Sequence, residues 1–242
     1  MKTYSRRDLT VISGFGGKSM VLACDSCGAA GQKPGDKLTV PPYYTGKLTA
    51  RVCLTELLCC GAVPSLIGNV LSCEMEPTGR EIIRGIEDEL AISGHGDVHI
   101  TGSTEENFET IMTAAGIFAV GFADDTALRF GRAMGGDKLL LFGRPLSGSD
   151  VLLDSPGFYF EISHLLGMNE VRELVPVGSK GIGYEAMNLA ALDGLRFAAA
   201  NTGVDLACSA GPASCLLVLC SDSISGRIRD MFPSALVIGA ME

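Results

Sequence analysis

Short apolar segments alternate along the chain with longer segments whose apolar residues recur at helical spacing. Residues 21–25, VLACD, have the apolar character of a buried strand, as do ASCLLVLC and ALVIGAM near the end of the sequence. Residues 47–60 place leucines on one helical face before a glycine. Residues 77–94 form a second amphipathic pattern, in which Thr78 and Glu81 predict a capping box. Strands that alternate with helices predict an α/β or α+β protein with covered sheets.

The composition suits a folded protein with a large core. The chain has 242 residues, of which 47% are hydrophobic and only 19% are charged, so disorder is not expected. The segment GDKLLLFG begins a second succession of strands and helices. We therefore expect two units, residues 1–135 and residues 136–242.

The acidic charge restricts the classes of ligand. A net charge of -9, with no basic run, argues against sequence-independent binding to nucleic acid or to an anionic membrane. No stretch of about 18 uncharged apolar residues predicts a membrane span, and the first residues are too polar for a signal peptide. We expect a cytoplasmic protein, in which an anionic substrate would bind together with a divalent metal ion.

The segment ACDSCGAAG contains Cys24 and Cys27 at the spacing of a zinc half-site or a redox dithiol. A structural zinc ion needs four ligands, but the sequence has no second C-x-x-C and its three histidines are scattered. A redox dithiol belongs at the start of a helix, whereas glycine and alanine follow here. Several of the nine cysteines lie within apolar segments, which is typical of buried thiols in a reducing compartment. We therefore expect both sulfur atoms to be structural.

Asp25 lies between these cysteines, at the expected end of a buried strand. A carboxylate is costly to bury there without a partner or a metal ion, and a turn or helix-cap role is the alternative. Glu56 lies on or near the apolar face of residues 47–60. Two partly buried carboxylates that lie close together would make a site for Mg²⁺, which prefers carboxylate and phosphate oxygens.

The glycine-rich segment SGFGGKS lacks the spacing of a P-loop, because Ile12 stands where the first glycine is required. Its glycines, Gly14, Gly16 and Gly17, can present backbone N–H groups to phosphate, and Lys18 can add a positive charge. An ordinary turn before a strand is the alternative interpretation.

The segment TGSTEENFET is the densest group of oxygen-bearing side chains in the chain, and it follows an expected strand. Its candidate residues for contact with a nucleotide or a metal ion are Gly102, Ser103, Thr104, Glu105 and Asn107. A helix that is capped by serine or threonine, with acids in its first turn, explains the pattern equally well.

Two small-residue loops occur in the second half of the chain. PVGSKGIGYEA joins an expected strand to an expected helix, and Ser179, Lys180 and Gly181 can bind an anion at the start of that helix. SAGPA, with Ser209 and Gly211, is the other loop.

Taken in order, the segments ACDSCGAAG, TELLCCGAVP, ITGSTEEN, GDKLLLFG and SAGPA resemble one superfamily. It contains aminoimidazole ribonucleotide (AIR) synthetase, thiamine-monophosphate kinase, selenophosphate synthetase and the hydrogenase maturation carbamoyl dehydratase. Within it the chain is most similar to the short α-ribazole kinase branch, whose members carry similar CDSCGA, GSTEEN, PVGSKGI and SAGPA segments. The resemblance covers nearly the whole chain. It implies a two-unit AIR-synthetase-like fold that binds ATP and Mg²⁺ through N-terminal acids, and a homodimer in which two sheets pair.

The resemblance also implies roles for individual residues. Asp25, Glu56 and Glu105 correspond to acids of the thiamine-monophosphate kinases, and Lys18 belongs to a segment similar to glycine-rich phosphate loops of the superfamily. Lys180 departs from the pattern, because those kinases have an aspartate in a serine-aspartate-glycine motif there. This departure implies either that one metal ligand is lost or that Lys180 contacts phosphate directly.

The activity implied by the resemblance is transfer of phosphate from ATP to the 5′-hydroxyl of α-ribazole, a nucleoside of cobamide lower-ligand salvage. Lys180, Ser209 and the loop around Gly211 would face the acceptor. Two alternatives stay open. The chain is another ATP-dependent kinase or synthetase of the superfamily, or it is a non-catalytic nucleotide-binding regulatory protein, which the replacement at Lys180 favours.

Overall fold

The structure, a computed structural model, describes residues 1–153 and 157–242. Two compact units are formed, one by Met1–Leu58 with Ala62–Ala127, the other by Cys59–Gly61 with Leu128–Glu242. Both contain β-sheets and helices, which confirms the α/β (α+β) class expected from the sequence. Among the described residues, no helix has the length and apolar character needed to cross a membrane.

The first unit is built on a six-stranded sheet with the strand order β1-β2-β3-β8-β6-β7. All its neighbouring pairs are antiparallel except β6 and β7. The elements of this unit, with a π turn before the second helix, are β1 (Lys2–Arg6), β2 (Leu9–Ser13), β3 (Lys18–Gly28), β4 (Ala30–Gly31), β5 (Leu38–Thr39), α1 (Pro42–Cys59), β6 (Val63–Leu71), the π turn (Met75–Gly79), α2 (Arg80–Ile92), β7 (His99–Ser103) and β8 (Ala114–Asp124).

Among the described residues of the first unit, helix covers one face of this sheet and leaves the other face half-buried or exposed. Side chains alternate between the two faces of a strand, and the odd-numbered positions of β3 from Ser19 to Ala23 are buried. The Cys53 thiol of α1 donates a hydrogen bond to the Ile117 carbonyl of β8, so α1 lies over this buried face. The even-numbered positions of β3 and β8 are half-buried or exposed.

Helices α1 and α2 cross at two glycines. A Cβ atom on Gly46 would lie 1.9 Å from the Ile82 carbonyl oxygen, and one on Gly85 would lie 2.0 Å from the Tyr43 carbonyl oxygen. Larger residues would therefore force the two backbones apart.

The expected capping box at the start of α2 is wrong. The Thr78 hydroxyl donates to the Glu74 carboxylate instead, and α2 begins at Arg80, after the π turn. Within the described chain no side chain caps the first turn of α2. The hydroxyl is thus used by an acid four residues earlier in the chain, and not for the cap that the sequence pattern predicted.

Several candidate residues of the first unit lie near one edge of its sheet. Strands β3, β6 and β7 run in the same direction and end at Gly28, Leu71 and Ser103, next to the start of β8. We call this edge, with the loops of residues 29–41, 72–79 and 104–113, the carboxyl edge. The turn between β1 and β2 lies at the same end, because β2 is antiparallel to β3.

The second unit is a five-stranded antiparallel sheet with the order β10-β12-β9-β13-β11. Every residue of β12, an interior strand of this sheet between β10 and β9, is buried, which explains the uninterrupted apolar sequence CLLVLC. The elements of this unit are β9 (Lys138–Gly143), α3 (Asp150–Leu153), α4 (Tyr159–Leu166), β10 (Val171–Pro176), α5 (Ile182–Leu192), β11 (Phe197–Ala199), β12 (Cys215–Cys220), α6 (Asp222–Met231) and β13 (Leu236–Met241).

Candidate functional site

Asp25 lies three residues before the end of β3, on the strand face that α1 covers. Burial raises the pKa of its carboxyl; a hydrogen bond with the Ser26 backbone opposes this shift, and the nearby charge of Asp8 adds to it. Burial also raises the pKa of the Cys53 thiol, and the charges of Asp25 and Glu56 raise it further. The charges of Asp25 and Glu56 thus both act on Cys53, and Asp8, which no sequence pattern indicated, acts on Asp25.

Glu56 faces a cation that the sequence did not point to. The Arg7 guanidinium lies 4.0 Å from the Glu56 carboxylate, and the two side chains are only 4% and 11% exposed. Arg7 sits in the turn between β1 and β2 with a positive φ of 53°. The negative charge of Glu56 is therefore partly balanced within the chain, whereas the charge of Asp8 adds to the raised pKa of Asp25.

The carboxylates of Asp25, Asp8 and Glu56 fit a Mg²⁺ site only if a ligand such as a phosphate supplies further oxygen atoms. Residues 1–153 and 157–242 contain no group of three or more His, Cys, Asp or Glu side chains placed to hold a metal ion. Mg²⁺ is commonly held by one or two carboxylates together with substrate phosphates, rather than by a cage of protein ligands alone. Asp25, with Asp8 and Glu56 near it, matches that pattern.

The two cysteines around Asp25 do not form a site of their own. They are three residues apart in β3, so their side chains point to opposite faces of the sheet. Cys24 is exposed, while Cys27 is partly buried on the side of Asp25, and both are free thiols. Burial and the charge of Asp25 raise the pKa of Cys27, which disfavours the thiolate that zinc or redox chemistry requires.

The glycine-rich segment forms the turn of the β2–β3 hairpin. Gly14, Gly16 and Gly17 all adopt positive φ, and the Phe15 N–H donates to the Lys18 carbonyl across the turn. Lys18 begins β3 seven residues before Asp25, which corresponds to about 23 Å along the strand. Within one chain, the structure does not bring the expected phosphate loop to Asp25.

The segment TGSTEENFET ends β7 and enters a loop rather than a helix, so the helix-cap interpretation is wrong. Gly102 and Ser103 are the last residues of the strand. The Glu105 carboxylate accepts the backbone N–H groups of Asn107 and Phe108, which fixes the loop locally.

Contacts with the neighbouring loop also hold this segment at the carboxyl edge. The Glu106 carboxylate accepts hydrogen bonds from the Thr104 hydroxyl and the Met75 N–H. The Glu105 N–H donates to the Cys73 carbonyl.

A further charged group at this edge was missed by the sequence analysis. The Lys33 ammonium lies 2.5 Å from one Glu74 carboxylate oxygen, and Thr78 donates to the other. Asp36 accepts the Lys33 N–H and both donors of Thr113, which closes the loop around them. Lys33 and Glu74 are 41 residues apart in sequence, so no local pattern could have paired them.

A groove of about 410 Å³ lies beside Asp25. Its lining combines strand residues of β3 and β8 with Val70 of β6, namely Cys24, Asp25, Ser26, Val70, Gly116, Ile117 and Phe118.

In the second unit, the structure brings the two small-residue loops side by side. Gly181 has φ +86°, and a Cβ atom there would lie 2.8 Å from the Cys208 carbonyl oxygen, so only glycine fits this turn before α5. The Ala210 N–H donates to the Gly178 carbonyl, and Gly211 lies close to the Ser179 backbone. The segments that contain Ser179 and Ser209 are thus neighbours in the second unit.

Lys180 is oriented by the first turn of α5. Its ammonium donates to the Tyr184 hydroxyl over 3.0 Å and lies 4.3 Å from the centre of the same ring. The hydrogen bonds from Lys180 and with Asn188 lower the pKa of Tyr184. Lys180 therefore places a positive charge beside the N-terminal end of this helix, where anions are favoured.

Comparison with known proteins bears on the fold. Residues 7–123 match the family described as AIR synthase related protein, N-terminal domain. A chain of the HypE–HypF complex is similar to 96% of this chain over 86% of its own length, with a TM-score of 0.72 and 14% identity. The chain has the AIR synthase-like fold. No curated protein matches its sequence.

Two further solved structures share the AIR synthase-like fold. Thiamine monophosphate kinase (ThiL) from Aquifex aeolicus is similar over 97% of this chain and 88% of its own length, with 15% identity and a TM-score of 0.68. PurL of T. maritima in complex with AMPPCP is similar over 93% of this chain but only 40% of its own, with 16% identity and a TM-score of 0.71. At these identities the likeness concerns the fold, and it confirms the fold that the sequence resemblance implied.

Proposed function

We propose that the chain is an ATP- and Mg²⁺-dependent enzyme that phosphorylates or activates a small molecule. The observation that carries this proposal is the partly buried Asp25 carboxylate at the carboxyl edge, with Glu56 nearby. Two proteins of similar fold, ThiL and PurL, were crystallised with AMPPCP, an analogue of ATP, which supports a nucleotide as the ligand.

Phosphoryl transfer requires mainly positioning and neutralisation of charge, because its transition state spreads negative charge over the oxygens of the transferred group. Asp25 and Glu56 are the residues that would hold Mg²⁺, which would neutralise phosphate charge when bound. Asp25 fixes the position of the metal–nucleotide complex, and Ser103, Thr104 and Asn107 offer polar groups to the phosphates. Glu56 contributes less than Asp25, because Arg7 balances its charge.

The proposed acceptor is the 5′-hydroxyl of α-ribazole. Its support is the similarity of the CDSCGA, GSTEEN, PVGSKGI and SAGPA segments to the α-ribazole kinase branch. In the second unit, the Lys180 ammonium and the N-terminal end of α5 both favour negative charge. They would therefore stabilise the phosphate ester that forms on the acceptor hydroxyl.

The test is product identification with purified protein. We expect ATP, Mg²⁺ and α-ribazole to give ADP and α-ribazole 5′-phosphate, detected by mass spectrometry. A phosphorylated product from thiamine phosphate or another nucleoside instead would keep the reaction class and replace the acceptor. Tight ATP binding with no ADP from any acceptor would support the alternative, a non-catalytic nucleotide-binding protein.

The proposal includes a homodimer formed through the uncovered face of the first sheet. This face is apolar across β2, β3, β8 and β6, and two of its side chains, Val70 and Phe122, are 58% and 43% exposed. A continuous apolar surface of this kind on a protein is typical of an interface. A second copy of the same face is the proposed partner.

We expect the Phe122→Asp variant to be a monomer where the wild type is a dimer, because a buried, unpaired charge is costly at an interface. Light scattering coupled to gel filtration measures the mass of each. Ile92→Asp is the matched control, since Ile92 is 55% exposed at the end of α2 and lies outside the sheet. A monomeric wild type, or a dimeric Phe122→Asp variant, contradicts the proposed interface.

A further inference from the structure

Lys33 occupies an unusual position for a lysine. Its side chain is only 14% exposed, and its ammonium lies against Glu74, among the loops of the carboxyl edge. Burial alone would raise the pKa of the Glu74 carboxyl, but hydrogen bonds from Lys33 and Thr78 outweigh it, and the pKa lies below its usual value. The ion pair is therefore formed at neutral pH and holds the ammonium in one place.

The acids around Lys33 make a positive charge necessary if phosphates are to approach. Glu74 is the direct partner of Lys33. The charges of Glu106 and Asp36 raise the pKa of the Cys73 thiol, whereas the charge of Lys33 lowers it, so all three charges act on the surroundings of Cys73. An ATP molecule carries several negative charges of its own, so a nucleotide at this edge needs cations to offset the repulsion. The Lys33 ammonium has three donors, of which Glu74 takes one, and the others can reach phosphate oxygens without breaking the pair.

Other cations of the first unit are less suitably placed. Lys18 lies at the opposite end of β3, and Arg7 faces the Glu56 carboxylate. Lys47 donates to the Tyr43 hydroxyl on α1. Lys33 contacts Glu74, and the N–H of the next residue, Met75, donates to Glu106. Lys33 therefore lies near the loop that contains Thr104, Glu106 and Asn107.

We propose that Lys33 is a phosphate-binding residue of the nucleotide site, and that Glu74 positions it. This inference rests on the proposed function, since it takes ATP as the ligand. The role of phosphate-binding lysine, expected for Lys18 of the β2–β3 hairpin, is thereby assigned to Lys33, which lies at the same edge as Asp25.

The experiment measures the binding of ATP and of AMP by calorimetry, with Mg²⁺ present, for the full chain and three variants. Lys33→Met keeps an unbranched side chain that is one atom shorter and removes its charge, and we expect about 10- to 100-fold weaker ATP binding, with AMP affected much less. Glu74→Gln keeps the ammonium but removes the charge that positions it, and we expect ATP binding to weaken by about 3- to 10-fold, less than in Lys33→Met. Lys37→Met, an exposed lysine of the same loop, is the matched control.

The outcomes separate the two proposals. If the wild type binds ATP and Lys33→Met binds it equally well, the inference about Lys33 is wrong while the proposed function stands. If Lys33→Met and Glu74→Gln lose ATP affinity and thermal stability to the same extent, the pair is only structural and the inference is wrong. If the wild type binds no ATP, the proposed function fails and takes the role of Lys33 with it.

Discussion

We expect the Asp25→Asn variant to lose more than about 100-fold of its ATP turnover, while melting at a higher temperature than the wild type at neutral pH. Turnover falls because the amide cannot supply the anionic oxygen proposed to hold the metal–nucleotide complex. Stability rises because burial raises the pKa of Asp25, so its ionised form is disfavoured in the folded state. An inactive variant that is more stable than its parent is typical of a functional residue.

The pH dependence of unfolding gives an independent measurement of the same residue. Because the folded pKa of Asp25 lies above its ordinary value of 3.8, its contribution favours folding at pH below that value and is lost as pH rises through the folded pKa. We expect this part of the pH dependence to be absent from Asp25→Asn when melting curves are recorded with a metal chelator.

Two further variants define what would contradict this prediction. Asp97→Asn, an exposed acid after α2, should change neither turnover nor stability. Glu56→Gln should lower turnover less than Asp25→Asn and should reduce stability, because it leaves Arg7 buried beside a neutral side chain. Full turnover in Asp25→Asn, or an equal loss in Asp97→Asn, would show that the carboxyl edge is not the metal–nucleotide site.

Much of the fold could be predicted from the sequence because its signals are local. The apolar segments ASCLLVLC and ALVIGAM contain β12 and β13, and residues 47–60 fall largely within α1. Strand β3 was expected to end at Asp25, but it continues to Gly28, since β8 pairs with it as far as Ala114. That extension depends on a partner strand remote in sequence, which no local pattern reveals.

The candidate site divides in the same way. Asp25 and Glu56 could be expected together because a strand end and a helix face each carry their own signal. The role of Lys18 followed from glycines that the structure uses for a hairpin turn. Lys33 and Glu74 meet through two loops whose paths depend on the whole sheet, and neither residue lies in a pattern typical of a site.

The largest effect on stability is expected at the ion pair between α1 and α2. The Arg51 guanidinium contacts the Glu89 carboxylate at 2.7 Å and 3.1 Å, and the two side chains are 4% and 0% exposed. Removing one partner of a buried pair leaves the other charge without its counter-ion in a medium of low polarity. We expect Glu89→Gln to lower the free energy of unfolding by about 3–5 kcal/mol, measured by urea denaturation.

Position and charge can be separated with two companion variants. Glu81→Gln removes an acid from an exposed pair with Arg84 on the same helix, and we expect a change below about 0.5 kcal/mol because water already screens that pair. The double variant Arg51→Met with Glu89→Leu removes both charges, and we expect it to recover most of the stability lost by Glu89→Gln, since apolar residues of similar volume often replace a buried pair at little cost. A Glu89→Gln variant within about 1 kcal/mol of the wild type would mean that Arg51 finds other compensation, and that the α1–α2 contact rests on the glycine crossing at Gly46 and Gly85 rather than on charge.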